Sequence, residues 1–173
     1  IRLSSIEAGD VTDSLIQKIA QSRKLCRHLH IPIQSGDDEI LKKMQRKYCR
    51  ADYLNLIKKI KSRIPGIAIT TDVLVGFPGE SESNFRNTLD LIKKVTPLKV
   101  HLFPYSPREG SPAYNFKDNV SPAIIKEREN ENTLDNEDSN YNRSNSQYYN
   151  TIKNNNNINT NNNKTDTINS RQN

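Results

Sequence analysis

The chain has 173 residues, of which 33% are hydrophobic and 27% charged, and its formal net charge is +6. This length suffices for one modest domain, and no apolar run approaches the roughly 20 residues that a membrane-spanning helix needs. No secretory leader is apparent, and the two cysteines form neither a CxxC pair nor a disulfide framework. We therefore expect no membrane location and a reducing, cytoplasmic compartment.

Strands and helices alternate along the first part of the chain. Apolar patterning predicts strands at IRLSSIE (1–7), RHLHIPIQSG (27–36), IAITTDVLVG (67–76) and LKVHLFPYSP (98–107). Helices are predicted at 12–22, where Thr12 is the N-cap, and at 37–48, 50–64 and 83–95. Such alternation predicts an α/β fold with parallel pairing and helices covering the sheet. Four strands do not close a barrel, so we expect about half of one or a small open sheet.

The composition changes sharply near residue 118. We predict a folded part at 1–117, a short helix or linker at 118–129, and an asparagine-rich tail at 130–173. The tail has too little apolar surface to offset the entropy of ordering it, so we expect it to be disordered. Because the chain begins at Ile1 without a methionine, within an apparent strand, we also expect it to be a fragment.

The stretch DVLVGFPGES (72–81) stops a buried strand abruptly. Gly76 and Gly79 permit backbone angles or close approaches that a Cβ blocks, and Pro78 offers no N–H. The acids and serine that follow suit the start of a helix. The motif is not a P-loop, because it lacks the lysine followed by Ser or Thr. A ligand-binding turn and a purely structural βα turn are both compatible with these residues.

Polar or backbone-exposing residues end all four predicted strands. In a parallel α/β sheet these ends lie on one edge, where binding sites are built. We therefore predict a ligand site at that edge, formed by Ser4, Ser5 and Glu7, by Gln34, Ser35 and Gly36, by residues 76–80, and by Tyr105, Ser106 and Arg108.

Three motifs carry a resemblance to a known family. HLHIPIQSGDDEILKKMQRKY, TTDVLVGFPGESESNF and FPYSPREGSPA resemble the C-terminal half of the radical SAM core in tRNA methylthiotransferases. SSIEAGD and KLCRHLHIPIQSGDDEIL are most similar to the branch that acts on N6-threonylcarbamoyladenosine at tRNA position 37. The branch that modifies isopentenyladenosine and a relative that modifies a ribosomal protein share much of this pattern. The resemblance covers about residues 1–117.

The resemblance implies a fold, cofactors and a partner. It implies a partial (β/α)6 barrel of which this chain is the C-terminal half, and a reaction that replaces C–H by C–SCH3 on tRNA. It also implies S-adenosyl-L-methionine and [4Fe–4S] clusters in the full-length enzyme. The chain lacks the CxxxCxxC that binds the first cluster, and Cys26 and Cys49 match no cluster ligand. We therefore expect no metal site here and no activity from the chain alone.

The matching motifs also imply cofactor-binding residues. The resemblance places Gly76, Phe77 and Gly79 against the adenine of S-adenosylmethionine, and Gln34 and Ser35 against its ribose and methionine parts. It makes Glu7 a partner for a ribose hydroxyl or the amino group. Tyr105 is predicted to line the adenine pocket, and for Phe103 packing in the core is an equal alternative. The resemblance identifies no catalytic residue.

The positive charge of the chain is unevenly distributed. Residues 18–63 contain 13 Lys or Arg and 4 Asp or Glu, a composition that suits a phosphate backbone but also a solvated lysine face. His28 and His30 share one face of their strand, and we expect no metal there. Two alternatives to the methylthiotransferase remain: a half-barrel module that binds adenine nucleotides or RNA without catalysis, and an aldolase-like α/β barrel. The second lacks a strand-end lysine and a carboxylate set for a divalent metal.

Overall fold

A computed structural model describes the backbone of residues 1–137 and the side chains of residues 1–131. Residues Ile1–Leu134 form one compact unit. The helices of the described residues are α1 (Asp13–Gln21), α2 (Asp38–Lys43), α3 (Arg50–Arg63), α4 (Glu82–Val95) and α5 (Pro122–Glu137), and single 3-10 turns lie at Ala8–Asp10 and Pro112–Asn115. Helix α5 continues past the tail boundary predicted at residue 130. The rest of that tail, residues 138–173, lies outside the described residues.

Three strands form a fully parallel sheet in the order β1 (His28–His30), β2 (Ala68–Val75), β3 (Lys99–Pro104). Four strands were predicted. Of the first, only a parallel bridge between Ser5 and His30 is formed. The second predicted strand shortens to three residues, although Gln34 again bridges to Val73. The α/β architecture is therefore as predicted, with a smaller sheet.

Side-chain caps fix the helix starts. The Thr12 hydroxyl accepts the amide of Leu15, as predicted, and the Ser81 hydroxyl accepts the amide of Asn84. Asp37 caps α2 through the amides of Glu39 and Ile40. The helix predicted over 37–48 ends early.

One face of the sheet packs on the helices. The strand residues Leu29, Ile69, Val73 and Val75 are buried in a single core with the α3 and α4 residues Ile57, Ile60, Phe85, Leu89 and Ile92. Tyr53 of α3 is fully buried, and its hydroxyl donates to the carbonyl of Ile31 over 2.8 Å. The opposite face of the sheet is partly exposed. The core therefore holds the sheet in place on one side and leaves its other face partly exposed.

Candidate functional site

The ends of the strands meet at one edge of the sheet, here called the carboxyl edge and formed by Glu7, Gln34, residues 76–80 and Tyr105. Backbone hydrogen bonds tie these segments together: Ile6 N donates to His30 O over 3.0 Å, and Leu74 N to Gln34 O over 2.9 Å. Tyr105 N donates to Val75 O over 2.8 Å. The chain thus brings together the segments that the sequence predicted as a site. Their role in binding S-adenosylmethionine stays a prediction.

Gln34 has an unusual backbone at this edge. Its φ is +62°, in the left-handed region that costs a residue with a Cβ about 1 to 3 kcal/mol. Two backbone bonds hold it there, from its own amide to Asp72 O and from Leu74 N to its carbonyl, each 2.9 Å long. Its side-chain amide has no hydrogen bond within the described part of the chain. A residue with backbone strain whose side-chain amide makes no hydrogen bond within the described residues is well suited to contact a ligand.

Ser35 is turned away from the edge. The residue is fully buried, its hydroxyl lies 3.4 Å from the Thr88 hydroxyl of α4, and it accepts the amide of Asp37 over 3.2 Å. In this arrangement Ser35 joins the end of β1 to α4. A contact between its hydroxyl and a cofactor stays a prediction, and it requires a different rotamer.

The glycine turn is packed against a helix. Gly76 and Gly79 both have φ of +78°, which explains why both are glycine. A Cβ added to Gly76 would lie 2.5 Å from Cδ1 and Cγ1 of Ile125 in α5. A Cβ on Gly79 would lie 2.5 Å from the Lys43 ammonium. The close approach that the sequence indicated at Gly76 is therefore made by α5.

Aromatic rings line the end of β3. The Phe77 ring is buried and contacts Tyr105 edge to face, with centroids 5.3 Å apart, and Phe116 at 6.1 Å. The Tyr105 hydroxyl donates to the carbonyl of Ala113 over 3.1 Å. Phe103, in contrast, is 50% exposed. The alternative that Phe103 packs in the core of this chain is therefore wrong.

Glu7 lies exposed at the end of the first segment. Its carboxylate accepts a 2.7 Å hydrogen bond from the Arg46 guanidinium. A surface pair of this kind contributes little to stability, and a ligand amino group or hydroxyl can compete for the carboxylate.

A buried ion pair beneath the turn was not predicted. Oε2 of Glu80 accepts the Gly76 amide over 2.7 Å and the Arg128 guanidinium over 2.9 Å. Burial raises the pKa of Glu80, and the Gly76 amide and the Arg128 charge oppose this. From the sequence, Glu80 was predicted only as an acidic residue near the start of a helix. Its partner Arg128 lies 48 residues away in the chain, so the local pattern could not indicate the pair. Beside the pair, a cleft of about 750 Å³ lined by Glu80, Ser121, Ile124 and Arg128 has the size of a small-molecule site.

The described residues hold no group of three or more His, Cys, Asp or Glu side chains arranged to bind a metal ion. Both cysteines are free: Cys26 is exposed before β1 and Cys49 is half-buried at the start of α3. These two thiols do not fit an iron–sulfur cluster, whose common ligand set is several cysteines.

The sequence profile of the Radical SAM superfamily matches residues 2–92. The chain belongs to the radical SAM superfamily. Among solved structures, it superposes with a TM-score of 0.64 on coproporphyrinogen III oxidase (HemN) from Escherichia coli, a radical SAM enzyme. The match covers 76% of this chain and 31% of that one at 14% identity, so it supports the fold alone.

Curated relatives of this radical SAM chain carry two kinds of name. It is 47% identical over 128 residues to the tRNA-2-methylthio-N(6)-dimethylallyladenosine synthase of Clostridium tetani. It is 46% identical over 128 residues to the threonylcarbamoyladenosine tRNA methylthiotransferase MtaB of Bacillus subtilis. Each match covers 74% of this chain and 28% of the relative, so the chain spans less than a third of their length.

These relatives and the fold confirm the predicted resemblance to the radical SAM core of tRNA methylthiotransferases. They do not distinguish the two adenosine substrates. Among the helices of the described residues, none is long and apolar enough to cross a membrane.

Proposed function

We propose that the chain is part of a radical SAM tRNA methylthiotransferase that adds a methylthio group to N6-threonylcarbamoyladenosine at tRNA position 37. The observation that carries this proposal is the 44–47% identity over 128 residues to curated methylthiotransferases. The SSIEAGD and KLCRHLHIPIQSGDDEIL motifs favour the threonylcarbamoyl substrate. We further propose that this chain alone does not complete the reaction.

The carboxyl edge offers polar groups that fit S-adenosylmethionine, which supplies the radical when it is bound and cleaved. Gln34 presents a side-chain amide that has no partner among the described residues, and Glu7 presents an exposed carboxylate, so the two can hold the ribose and amino groups. The backbone of residues 76–79 and Tyr105 are the proposed adenine contacts. Since Ile125 already fills the position next to Gly76, the adenine has to approach the turn from the side away from α5.

Transfer RNA is the proposed partner, and it would be reached in the cytoplasm. Exposed basic side chains on and between the first three helices suit a phosphate backbone. They are Lys18, Arg23, Lys24, Lys42, Lys43, Lys47, Lys58 and Arg63. Two other lysines of residues 18–63 are engaged within the chain: Lys59 is paired with Asp13, and Lys61 donates to the carbonyl of Val95.

Deleting the gene that encodes the chain tests the proposal. Mass spectrometry of tRNA nucleosides should show loss of the 2-methylthio form of N6-threonylcarbamoyladenosine, with the unmethylthiolated nucleoside accumulating. If the 2-methylthio form of N6-dimethylallyladenosine were lost instead, the protein would belong to the branch that modifies that nucleoside. Unchanged levels of both methylthio nucleosides would contradict the proposal and favour the non-catalytic module that binds adenine nucleotides or RNA.

A further inference from the structure

The three histidines of the chain all lie on one face of the sheet. His28 and His30 alternate with the buried Leu29 on β1, and His101 lies on β3. Because side chains alternate across a strand, these residues point away from the helix-covered core. We call this the open face, formed by His28, His30, Thr70, Asp72, Leu74, His101 and Phe103.

The open face carries polar and aromatic side chains that are accessible in this chain. The side chain of Asp72 is 24% exposed and Phe103 is 50% exposed. Strand register pairs Asp72 with His101 and, two residues on, Leu74 with Phe103. A carboxylate beside an imidazole is thus followed, toward the carboxyl edge, by an apolar and aromatic pair.

Hydrogen bonds fix the Asp72 carboxylate in place. His30 Nε2 lies 3.1 Å from Asp72 Oδ2, and His30 Nδ1 lies 2.9 Å from the Thr70 hydroxyl. An ionised carboxylate only accepts, so Nε2 of His30 donates to it, and in the neutral ring Nδ1 accepts the Thr70 hydroxyl. The Thr70 oxygen in turn accepts from His28 Nε2, 3.1 Å away. Both nitrogens of His30 are therefore engaged.

The other oxygen of Asp72 is available. Oδ1 has no hydrogen bond within the described part of the chain, while Oδ2 is held by His30. The His30 ring also contacts His101 edge to face at 6.1 Å, which limits its rotation. The arrangement therefore presents one oriented carboxylate oxygen next to an exposed aromatic ring.

We propose that Asp72 and Phe103 form a binding site for the unpaired adenine of an RNA. The base lies against Phe103 and Leu74, because aromatic side chains stack on unpaired bases. Oδ1 of Asp72 accepts the N6–H of the adenine, a hydrogen that remains when N6 carries one substituent. His30 is a positioning residue that acts through Asp72. The inference rests on the proposed function, which makes an adenosine of tRNA the substrate.

The test compares the affinities of the full chain for two short RNAs. One is a single-stranded uridine oligonucleotide with a central adenosine, and the other carries purine riboside there, which lacks the exocyclic amine. Affinities are read from the ring ¹⁵N shifts of the three histidines and from backbone amides. A hydrogen bond to a carboxylate predicts that the parent binds the adenosine RNA about tenfold more tightly than the purine RNA.

Variants separate the contributions. Asp72→Ala should abolish the preference for adenosine, so that the variant binds both RNAs with about equal affinity. Its affinity for the purine RNA should equal that of the parent, and this result would show that the site is still folded. Asp90→Ala removes a carboxylate from α4, on the helix side, and should keep the parent's preference. Phe103→Ala should weaken both RNAs about tenfold. His30→Phe should reduce the preference, and it should have no further effect on it in the Asp72→Ala background.

Several outcomes would overturn the proposal: no histidine shift with either RNA, equal affinity of the parent for both, or an unchanged preference in Asp72→Ala. A loss of preference in Asp90→Ala equal to that in Asp72→Ala would also overturn it. The nucleoside measurement after gene deletion is independent, so the open-face site can fail while the proposed methylthiotransferase stands.

Discussion

The guanidinium of Arg128 lies 2.9 Å from the carboxylate of Glu80, and the two side chains are 5% and 1% exposed. Arg128 also lies over the Phe85 ring at 5.0 Å, while its Nε is buried and has no hydrogen-bond partner among the described residues. One ion pair therefore connects α5, the start of α4 and, through the Gly76 amide, the glycine turn.

Removing one partner of this pair should destabilise the fold strongly. Arg128→Met leaves the Glu80 carboxylate buried without its cation, and such a loss typically costs about 3 to 5 kcal/mol. Urea denaturation measures the change in unfolding free energy. Arg86→Met is the control, because Arg86 pairs with Glu82 and Glu131 on the surface, and it should leave the urea midpoint almost unchanged. Equal effects of the two variants would contradict the role given to the buried pair.

The glycine turn allows backbone strain to be separated from packing. Gly76 and Gly110 both have positive φ, but among the described residues no atom lies within 4 Å of a Cβ added to Gly110. Gly110→Ala should therefore cost only the strain, about 1 to 3 kcal/mol, and Gly76→Ala should cost more because of Ile125. In an Ile125→Ala background the difference should shrink. A Gly76→Ala variant no less stable than Gly110→Ala would show that α5 does not restrict the turn.

His28 should make stability depend on pH. Burial lowers the pKa of His28, and the charges of Arg2 and His30 add to this. The unfolded imidazole titrates near about 6.5, so below that pH the unfolded chain binds a proton that the folded chain resists. Stability contributed by neutral His28 is present above this pH and is lost as the pH falls through it. Urea midpoints at about pH 7.5 and about pH 5.5 should differ less in His28→Gln than in the parent; equal differences would contradict this cause.

Iron–sulfur reconstitution should leave the chain without a stable cluster. The sequence has two cysteines, of which Cys26 is exposed and Cys49 is half-buried at the start of α3. Anaerobic incubation with iron and sulfide, followed by desalting, should give no stoichiometric iron and no visible absorption band. Cys49→Ser serves as the control and should behave identically. A [4Fe–4S] spectrum that survives desalting in the parent would show that these thiols are cluster ligands.

Local signals in the sequence predicted the elements well. The Thr12 cap, the apolar stripes of α3 and α4, and the strand before Gly76 depend on neighbours within a few residues, so the pattern alone identified them. The polar strand ends predicted the carboxyl edge for a similar reason, because parallel strands place their ends together.

Long-range partners could not be predicted from the pattern. Ile125 fills the space at Gly76 and Arg128 pairs with Glu80, and both come from a segment that the sequence suggested was a short helix or linker. The shared face of His28 and His30 follows from alternation, but their hydrogen bonds to Thr70 and Asp72 span 40 or more residues. The first predicted strand shrank to one bridge at Ser5, since a strand requires a partner along its length.

Titration of the isotope-labelled chain with S-adenosylmethionine tests whether the carboxyl edge binds the cofactor. We expect weak binding, with amide shifts confined to the carboxyl edge at Glu7, Gln34, residues 76–80 and Tyr105. Gln34→Ala should weaken that binding several-fold, about 0.5 to 1.5 kcal/mol, and leave the melting temperature almost unchanged. Shifts located elsewhere, or identical binding by parent and Gln34→Ala, would contradict the assignment of this edge to the cofactor.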